Sequence, residues 1–249
     1  LSTDDALRTE FYSSTSHFTE EFLSSHFKDE TILVKCARVF EFEKIVQLLE
    51  QKVHQTVLEI NLSAIAHNLK AYQQLLQPST RIMAMVKAFA YGSGGAEIAG
   101  ILQYHKVDYL AVAYADEGVE LRKAGIQLPI MVMNPDENAF DKITEFSLEP
   151  ELYSFEILRS FDNYLRQEGL QQYPVHIELE TGMNRLGFSV NEIGNLTGAL
   201  GSTSSFRVQS VFTHLAASED PVHDSFTNQQ FELLQKAADE LQKNTGYSF

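Results

Sequence analysis

The chain has 249 residues, 44% of them apolar and 21% charged, an ordinary globular composition that excludes a collagen, a low-complexity scaffold or a disordered tail. At about 150 residues per domain it accommodates one large domain or two modest ones. Lys plus Arg number 19 against 34 Asp plus Glu, a formal charge of −15, which is the wrong sign for a surface that neutralises nucleic-acid phosphates; a small anion can still be held by local N–H groups and one or two cations.

The start, Leu1-Ser2-Thr3-Asp4-Asp5, has neither the basic head nor the apolar stretch of a secretory signal, and no run of 18 apolar residues follows. A cytoplasmic protein without a membrane partner is expected. Because the chain opens on Leu1 rather than Met and stops at Phe249 just beyond a helical pattern, it reads as a fragment. Residues 1 to about 52 hold a polar helical candidate (Thr19 to Phe27), a β-branched run (Thr31 to Lys35) and a second helix at about Glu41 to Gln51. Cys36, the only cysteine, rules out an intrachain disulfide and a cysteine-based metal cluster, and reads as a small buried hydrophobe. The pattern changes near Lys52 to Gln55 without Gly or Pro, so two closely abutted units are expected, 1–52 and 56–249.

In the second unit Val57 to Leu62 reads as a strand, with Ser63 as the N-cap of a helix carrying Ile65, Leu69, Tyr72 and Leu76. Six further runs read as buried parallel strands: Arg81 to Ala88, Tyr109 to Tyr114, Pro129 to Asn134, Ser147 to Tyr153, Tyr173 to Glu180 and Phe206 to His214. Their starts lie 28, 20, 18, 26 and 33 residues apart, the spacing of a βα repeat. Thr227 to Gln230 reads as a capping box ahead of a final helix. Such repeats either close into a barrel or wind doubly, and the G-x-G-x-x-G of a dinucleotide fold is absent. The expectation is therefore an α/β (β/α)8 TIM-type barrel that is incomplete, with about six of its eight units before residue 249. Lys87, Tyr91, the loop Glu180 to Arg185, and Thr213-His214 fall at C-terminal strand ends, the face where barrel active sites are built.

The segment Met85-Val86-Lys87-Ala88-Phe89-Ala90-Tyr91-Gly92-Ser93-Gly94 puts a lysine at the end of an apolar strand among small residues. A partly buried amine of lowered pKa is a Schiff-base nucleophile, and Tyr91 brings a phenol within reach. This V-K-A-x-A-Y-G-x-G pattern resembles the cofactor-lysine motif of alanine racemases, which carry pyridoxal 5′-phosphate on an eight-strand barrel. Further landmarks follow in the same order: Leu58 to Leu62 with Ala66 to Leu69; Leu110 to Ala113 with Glu117, Leu121-Arg122 and Gly125; Glu180-Thr181-Gly182-Met183-Asn184-Arg185-Leu186-Gly187-Phe188; and Phe212 to Ala216.

The resemblance, over about residues 56 to 249, implies that Lys87 carries the cofactor and acts as one of two bases in racemising alanine. It implies that Tyr91 contacts the cofactor region, Arg185 its phenolic oxygen and the substrate, and His214 the pyridine ring. It also implies a homodimer, with the phosphate clamp, the arginine at the pyridine nitrogen and the partner's tyrosine base beyond Phe249. Phe89 and Ser93 depart from the usual Asn and His. Glu178 stands where many racemases have a carbamylated lysine, and is expected either to supply that negative charge and orient Arg185 or to sit in a strand-end ion pair. Glu30 to Phe40 resembles the tail of the UDP-N-acetylmuramoyl-tripeptide D-alanyl-D-alanine ligases, the order found in bifunctional ligase/racemase proteins of peptidoglycan synthesis. No G-x-x-x-x-G-K-[ST] loop is present, so this chain carries no ligase chemistry. The competing expectations are a different enzyme of the same cofactor class, such as a decarboxylase or a small pyridoxal phosphate protein, and a catalytically silent binding or assembly module.

Overall fold

The computed structural model describes residues 10–21, 32–35, 42, 44–46, 59–87 and 95–249. The chain divides into two compact units, Leu1–Val57 and Leu58–Phe249. In the first, helix α1 spans Thr15–Glu21, four residues ahead of the expected start at Thr19, because the Ser14 hydroxyl accepts from the His17 N–H and opens the helix there. Ile32–Lys35 join no strand, and Lys44–Val46 are helical within the expected 41–51. Cys36 lies outside the described residues.

The second unit begins with a correction. Glu59–Asn61 are not in a strand; the Asn61 side chain accepts from Ala64 N at 3.0 Å and caps helix α2 (Leu62–Leu75). Asn is among the strongest N-caps, so the helix starts two residues ahead of the position that Ser63 suggested and ends the extended run. Seven parallel strands follow: β1 (Met83–Met85), β2 (Tyr109–Val112), β3 (Ile130–Val132), β4 (Glu149–Leu152), β5 (Tyr173–Glu180), β6 (Phe188–Ser189) and β7 (Phe206–Phe212). Six of them lie within the six expected runs. Strands β1 to β5 pair in sequence; β5 then pairs β7 along Tyr173–Glu178 and the two-residue β6 at Leu179–Glu180.

Helices α3 (Gly95–Tyr104), α4 (Ala115–Lys123), α5 (Phe140–Glu145), α6 (Phe155–Gln167), α7 (Ile193–Gly201) and α8 (Asp224–Thr245) alternate with these strands. This is the α/β architecture of an incomplete TIM-type barrel. One face of the sheet is apolar: Leu110, Val112, Ile130, Val132, Leu152, Val175, Ile177 and Leu179 form one buried cluster with helix residues such as Leu121, Ile143, Phe161 and Leu196. Burying a Leu or Phe contributes about 1.5–3 kcal/mol, so this cluster dominates the stability of the unit. Arg122 fastens it from α4, donating to the carbonyls of Ile126, Leu128, Phe146 and Ser147.

The opposite face differs from the expectation of uniformly apolar strands. Glu149, Glu151, His176 and Glu178 are all buried on it. At the N-terminal end of the strands, Glu149 Oε2 accepts from Tyr109 OH at 3.1 Å and contacts His176 Nε2 at 3.0 Å, while His176 Nδ1 lies 2.7 Å from Ser210 Oγ. Burial and then Glu149 push the Tyr109 phenol up to about 12. Helix α8 also corrects a boundary. A 3-10 turn over Pro221–His223, capped by Asp220, precedes it, so Thr227 lies inside the helix with its hydroxyl buried rather than at its cap.

Candidate functional site

Where the strands end, a cavity of about 240 Å³ is lined by Met85, Lys87, Ala113, Met133, Asn134, Glu151, Glu178, Arg185, Leu186 and His214. Every strand but β6 contributes from its C-terminal half or the residues that follow it. Val86 N donates to Ala111 O at 2.8 Å, which prolongs the β1 ladder by one residue and leaves Lys87 as the first residue past it. Lys87 is exposed, not partly buried as the apolar run suggested; among the described residues β1 is an edge strand with only β2 beside it. Beyond β2, the Glu117 carboxylate at the start of α4 accepts from Ala113 N at 2.7 Å and Tyr114 N at 3.1 Å. Asn134, beyond β3, donates from its side chain to Ala113 O at 3.2 Å.

The loop carrying Arg185 is organised by a side chain to which the sequence reading assigned no role. The Glu180 carboxylate accepts from the backbone N–H groups of Gly182, of Asn184 at 2.6 Å and of Arg185 at 3.3 Å. Three donors on one carboxylate curl the chain back over the end of β5, with Asn184 in the left-handed region at φ 57°. The return to β6 requires Gly187: its φ is 113°, and a Cβ there would lie 2.6 Å from Glu180 N.

His214 is held through its backbone by Gln230 of α8, which is fully buried. Gln230 Nε2 donates to His214 O at 3.1 Å and Thr181 Oγ1 at 3.3 Å, while its Oε1 accepts from Ala216 N at 3.0 Å. Thr181 Oγ1 lies 2.8 Å from Thr213 Oγ1, and Thr213 donates to Leu179 O at 2.8 Å, so the ends of β5 and β7 are tied by one polar network.

The floor of the cavity is acidic. Glu151 is fully buried and Glu178 is 3% exposed; both Glu151 oxygens and Oε2 of Glu178 are buried without a hydrogen-bond partner. Burial first, and then the adjoining Glu178 carboxyl, push Glu151 up to about 10, against a smaller pull down from Arg185. Glu178 is therefore not in the strand-end ion pair considered above; its neighbour is another acid.

Of the residues expected from sequence, Lys87, Arg185 and His214 line this one cavity although they lie up to 127 positions apart. Tyr91, Phe89 and Ser93 lie outside the described residues. Glu151, Asn134, Glu180 and Gln230 gained no role from sequence. Two of them left a signal: Glu151 shares the period-2 face of Glu149, and Gln230 interrupts the buried stripe continued by Leu234, Ala237 and Leu241. Among the described residues no group of three or more His, Cys, Asp or Glu could hold a metal ion. No helix among them is long and apolar enough to cross a membrane.

The family model for the N-terminal domain of alanine racemase matches residues 60–248. The curated alanine racemase of Synechocystis sp. is 37% identical over 177 residues, 70% of this chain and 47% of that protein. Among solved structures, alanine racemase of Clostridium difficile 630 in complex with cycloserine matches with a TM-score of 0.70 at 31% identity, covering 79% of this chain and 54% of that one. Alanine racemase from Bartonella henselae with covalently bound pyridoxal phosphate matches with a TM-score of 0.66 at 25% identity, covering 73% and 50%. The chain spans about half the length of the curated relatives it matches.

Proposed function

The chain belongs to the alanine racemase N-terminal domain family, and from that premise we propose that the protein it comes from interconverts L- and D-alanine using pyridoxal 5′-phosphate held on Lys87. The observation that carries the proposal is the convergence of Lys87, Arg185 and His214 on one cavity at the C-terminal ends of the strands. The donor set fits the group. An amine can bond its aldehyde carbon, a guanidinium can face its phenolic oxygen, and Glu178 in the floor can balance the cation.

When bound, the cofactor supplies an electron sink that makes the amino acid Cα–H acidic. Lys87 Nζ is the base that takes or returns the proton at Cα on one face of the substrate. Arg185 directs N–H donors at an anionic oxygen from a loop whose backbone Glu180 fixes before anything binds. His214 forms a wall whose backbone is anchored by Gln230. Glu178 supplies the negative charge behind Arg185. The phosphate clamp, the pyridine-nitrogen arginine and the second base come, in this proposal, from sequence following residue 249 and from a second subunit of a homodimer. From the resemblance of Glu30 to Phe40 we further propose that residues 1–52 are the tail of a ligase ahead of the racemase, in a bifunctional cytoplasmic protein serving peptidoglycan synthesis.

The test is an absorbance scan of the purified chain with pyridoxal phosphate, before and after borohydride, followed by peptide mass mapping. A reduced phosphopyridoxyl group on Lys87, absent from a folded Lys87→Ala variant, is the expected result. Attachment to a different lysine would refute the assignment, and D-alanine formation by the full-length protein then tests the reaction.

A further inference from the structure

The acidic floor holds a residue that neither the resemblance nor the reaction uses. Glu151 ends the inner face of β4 and Glu178 sits on the neighbouring strand; the ladder sets Glu151 opposite His176, two residues before Glu178. Both side chains line the cavity together with Arg185, and three of their four carboxyl oxygens are buried without a partner. Two adjacent carboxylates withdrawn from water repel each other and each loses its hydration, so the pair is stable only with a proton between them.

We propose that Glu151 is a positioning residue of the site, sharing one proton with Glu178 so that the pair presents a single negative charge to Arg185. Resting on the reading of Arg185 as the contact to the cofactor, this assigns Glu151 the part of an acid that stays neutral and donates. Glu178 keeps the charge and Arg185 stays opposite it. Among the described residues, the other charged or titratable groups around the pair are Lys87 beyond β1, Tyr153 at the end of β4, Glu180 above Glu178, His214 beyond β7, and Glu149 with His176 one layer below. None is a second cation close behind the pair: Lys87 is exposed at the mouth, and His176 is engaged by Glu149 and Ser210.

The test uses three variants, Glu151→Gln, Glu151→Leu and Glu178→Gln, each checked for folding by circular dichroism. The first readout is infrared spectroscopy of the cofactor-free chain. A protonated-carboxyl C=O band is expected at neutral pH and should be lost in Glu151→Gln. The second is pyridoxal phosphate binding, followed by borohydride trapping on Lys87. The amide introduced by Glu151→Gln can still donate to Glu178, so this variant should bind within about threefold of the parent, whereas Glu151→Leu and Glu178→Gln should each weaken binding by about tenfold or more, the equivalent of about 1.4 kcal/mol. Absence of the infrared band, or equal loss of binding in Glu151→Gln and Glu178→Gln, would overturn the shared proton. Failure of the parent chain to trap cofactor on Lys87 would count against the proposed function instead, because the infrared readout needs no cofactor.

Discussion

On one side of the cavity Lys87 stands past a three-residue edge strand whose flanking Met83 and Met85 are exposed; on the other, Arg185 and His214 extend from the ends of β5 and β7, held by Glu180, Thr181, Thr213 and Gln230. The amine therefore rests on one ladder. The two groups that would face it are held through their backbones, Arg185 by Glu180 and His214 by Gln230. The division suits a site in which a nucleophile must reach different positions while the groups that orient the ligand stay still. It also makes the two walls differ in their tolerance of substitution.

The largest effect is expected from Gly187→Ala. The new methyl would collide with the backbone of Leu179 and Glu180 at a φ of 113°, and no side chain can move aside to relieve it. A loss on the order of 3 kcal/mol or more is expected from denaturant midpoints. On the opposite wall, Met83→Ala, at an exposed edge position, should lose less than about 1 kcal/mol. Similar losses from the two would erase the contrast. Next comes Gln230→Leu, which keeps the volume of the buried side chain but leaves Thr181 Oγ1, His214 O and Ala216 N without their partner. About 2–3 kcal/mol should be lost. Borohydride trapping on Lys87 should also weaken, because the His214 wall loses its anchor.

The contrast between the walls follows how much of the molecule could be read from the sequence. The βα repeat was legible because each of the six runs carries Val, Ile or Leu, which in β2 to β5 lie in the buried cluster against the helices. The catalytic candidates were legible because Lys87, Arg185 and His214 sit at strand ends within distinctive motifs. What the sequence hid was tertiary. Val57 to Leu62 carries an apolar pattern, yet Glu59–Asn61 are not in a strand and Asn61 caps a helix that begins at Leu62. Thr227 to Gln230 has the spacing of a capping box, yet Asp220 and the turn before α8 supply the start three residues earlier. The neighbour of Glu151 and the partners of Gln230 come from other strands and loops, so local spacing marked the two positions without giving their roles.

The acidic floor gives the wall of β4 and β5 a pH signature that the β1 wall lacks. Glu151 is raised from the ordinary 4.5 to about 10, so between those values the folded chain keeps a proton that the unfolded chain releases. Stability is then complete below the unfolded value and falls as pH rises toward the folded one. The limit for one proton is about 1.4 kcal/mol per pH unit. Over the three units from pH 6 to pH 9 a fall of up to about 4 kcal/mol is expected in cofactor-free chain. Glu151→Gln should flatten that slope, and a slope unchanged in the variant would remove Glu151 as its source.

The smallest effect, and the finest division of the rigid wall, is expected from Glu180→Gln. The carboxylate accepts from three backbone N–H groups, and its charge strengthens each of those bonds. A Gln side chain keeps one oxygen acceptor and turns an NH2 toward donors it cannot satisfy. The loop is partly exposed, so water can replace the missing acceptor, and the loss of stability should be only about 1 kcal/mol. The backbone carrying Arg185 would nonetheless lose the contact that sets its direction. Glu180→Gln should therefore weaken pyridoxal phosphate binding more than it lowers the denaturant midpoint, whereas Gln230→Leu lowers both. If Glu180→Gln moved only stability, the carboxylate would serve the fold of the loop alone, and the orientation of Arg185 would have to come from the Glu151–Glu178 pair beneath it.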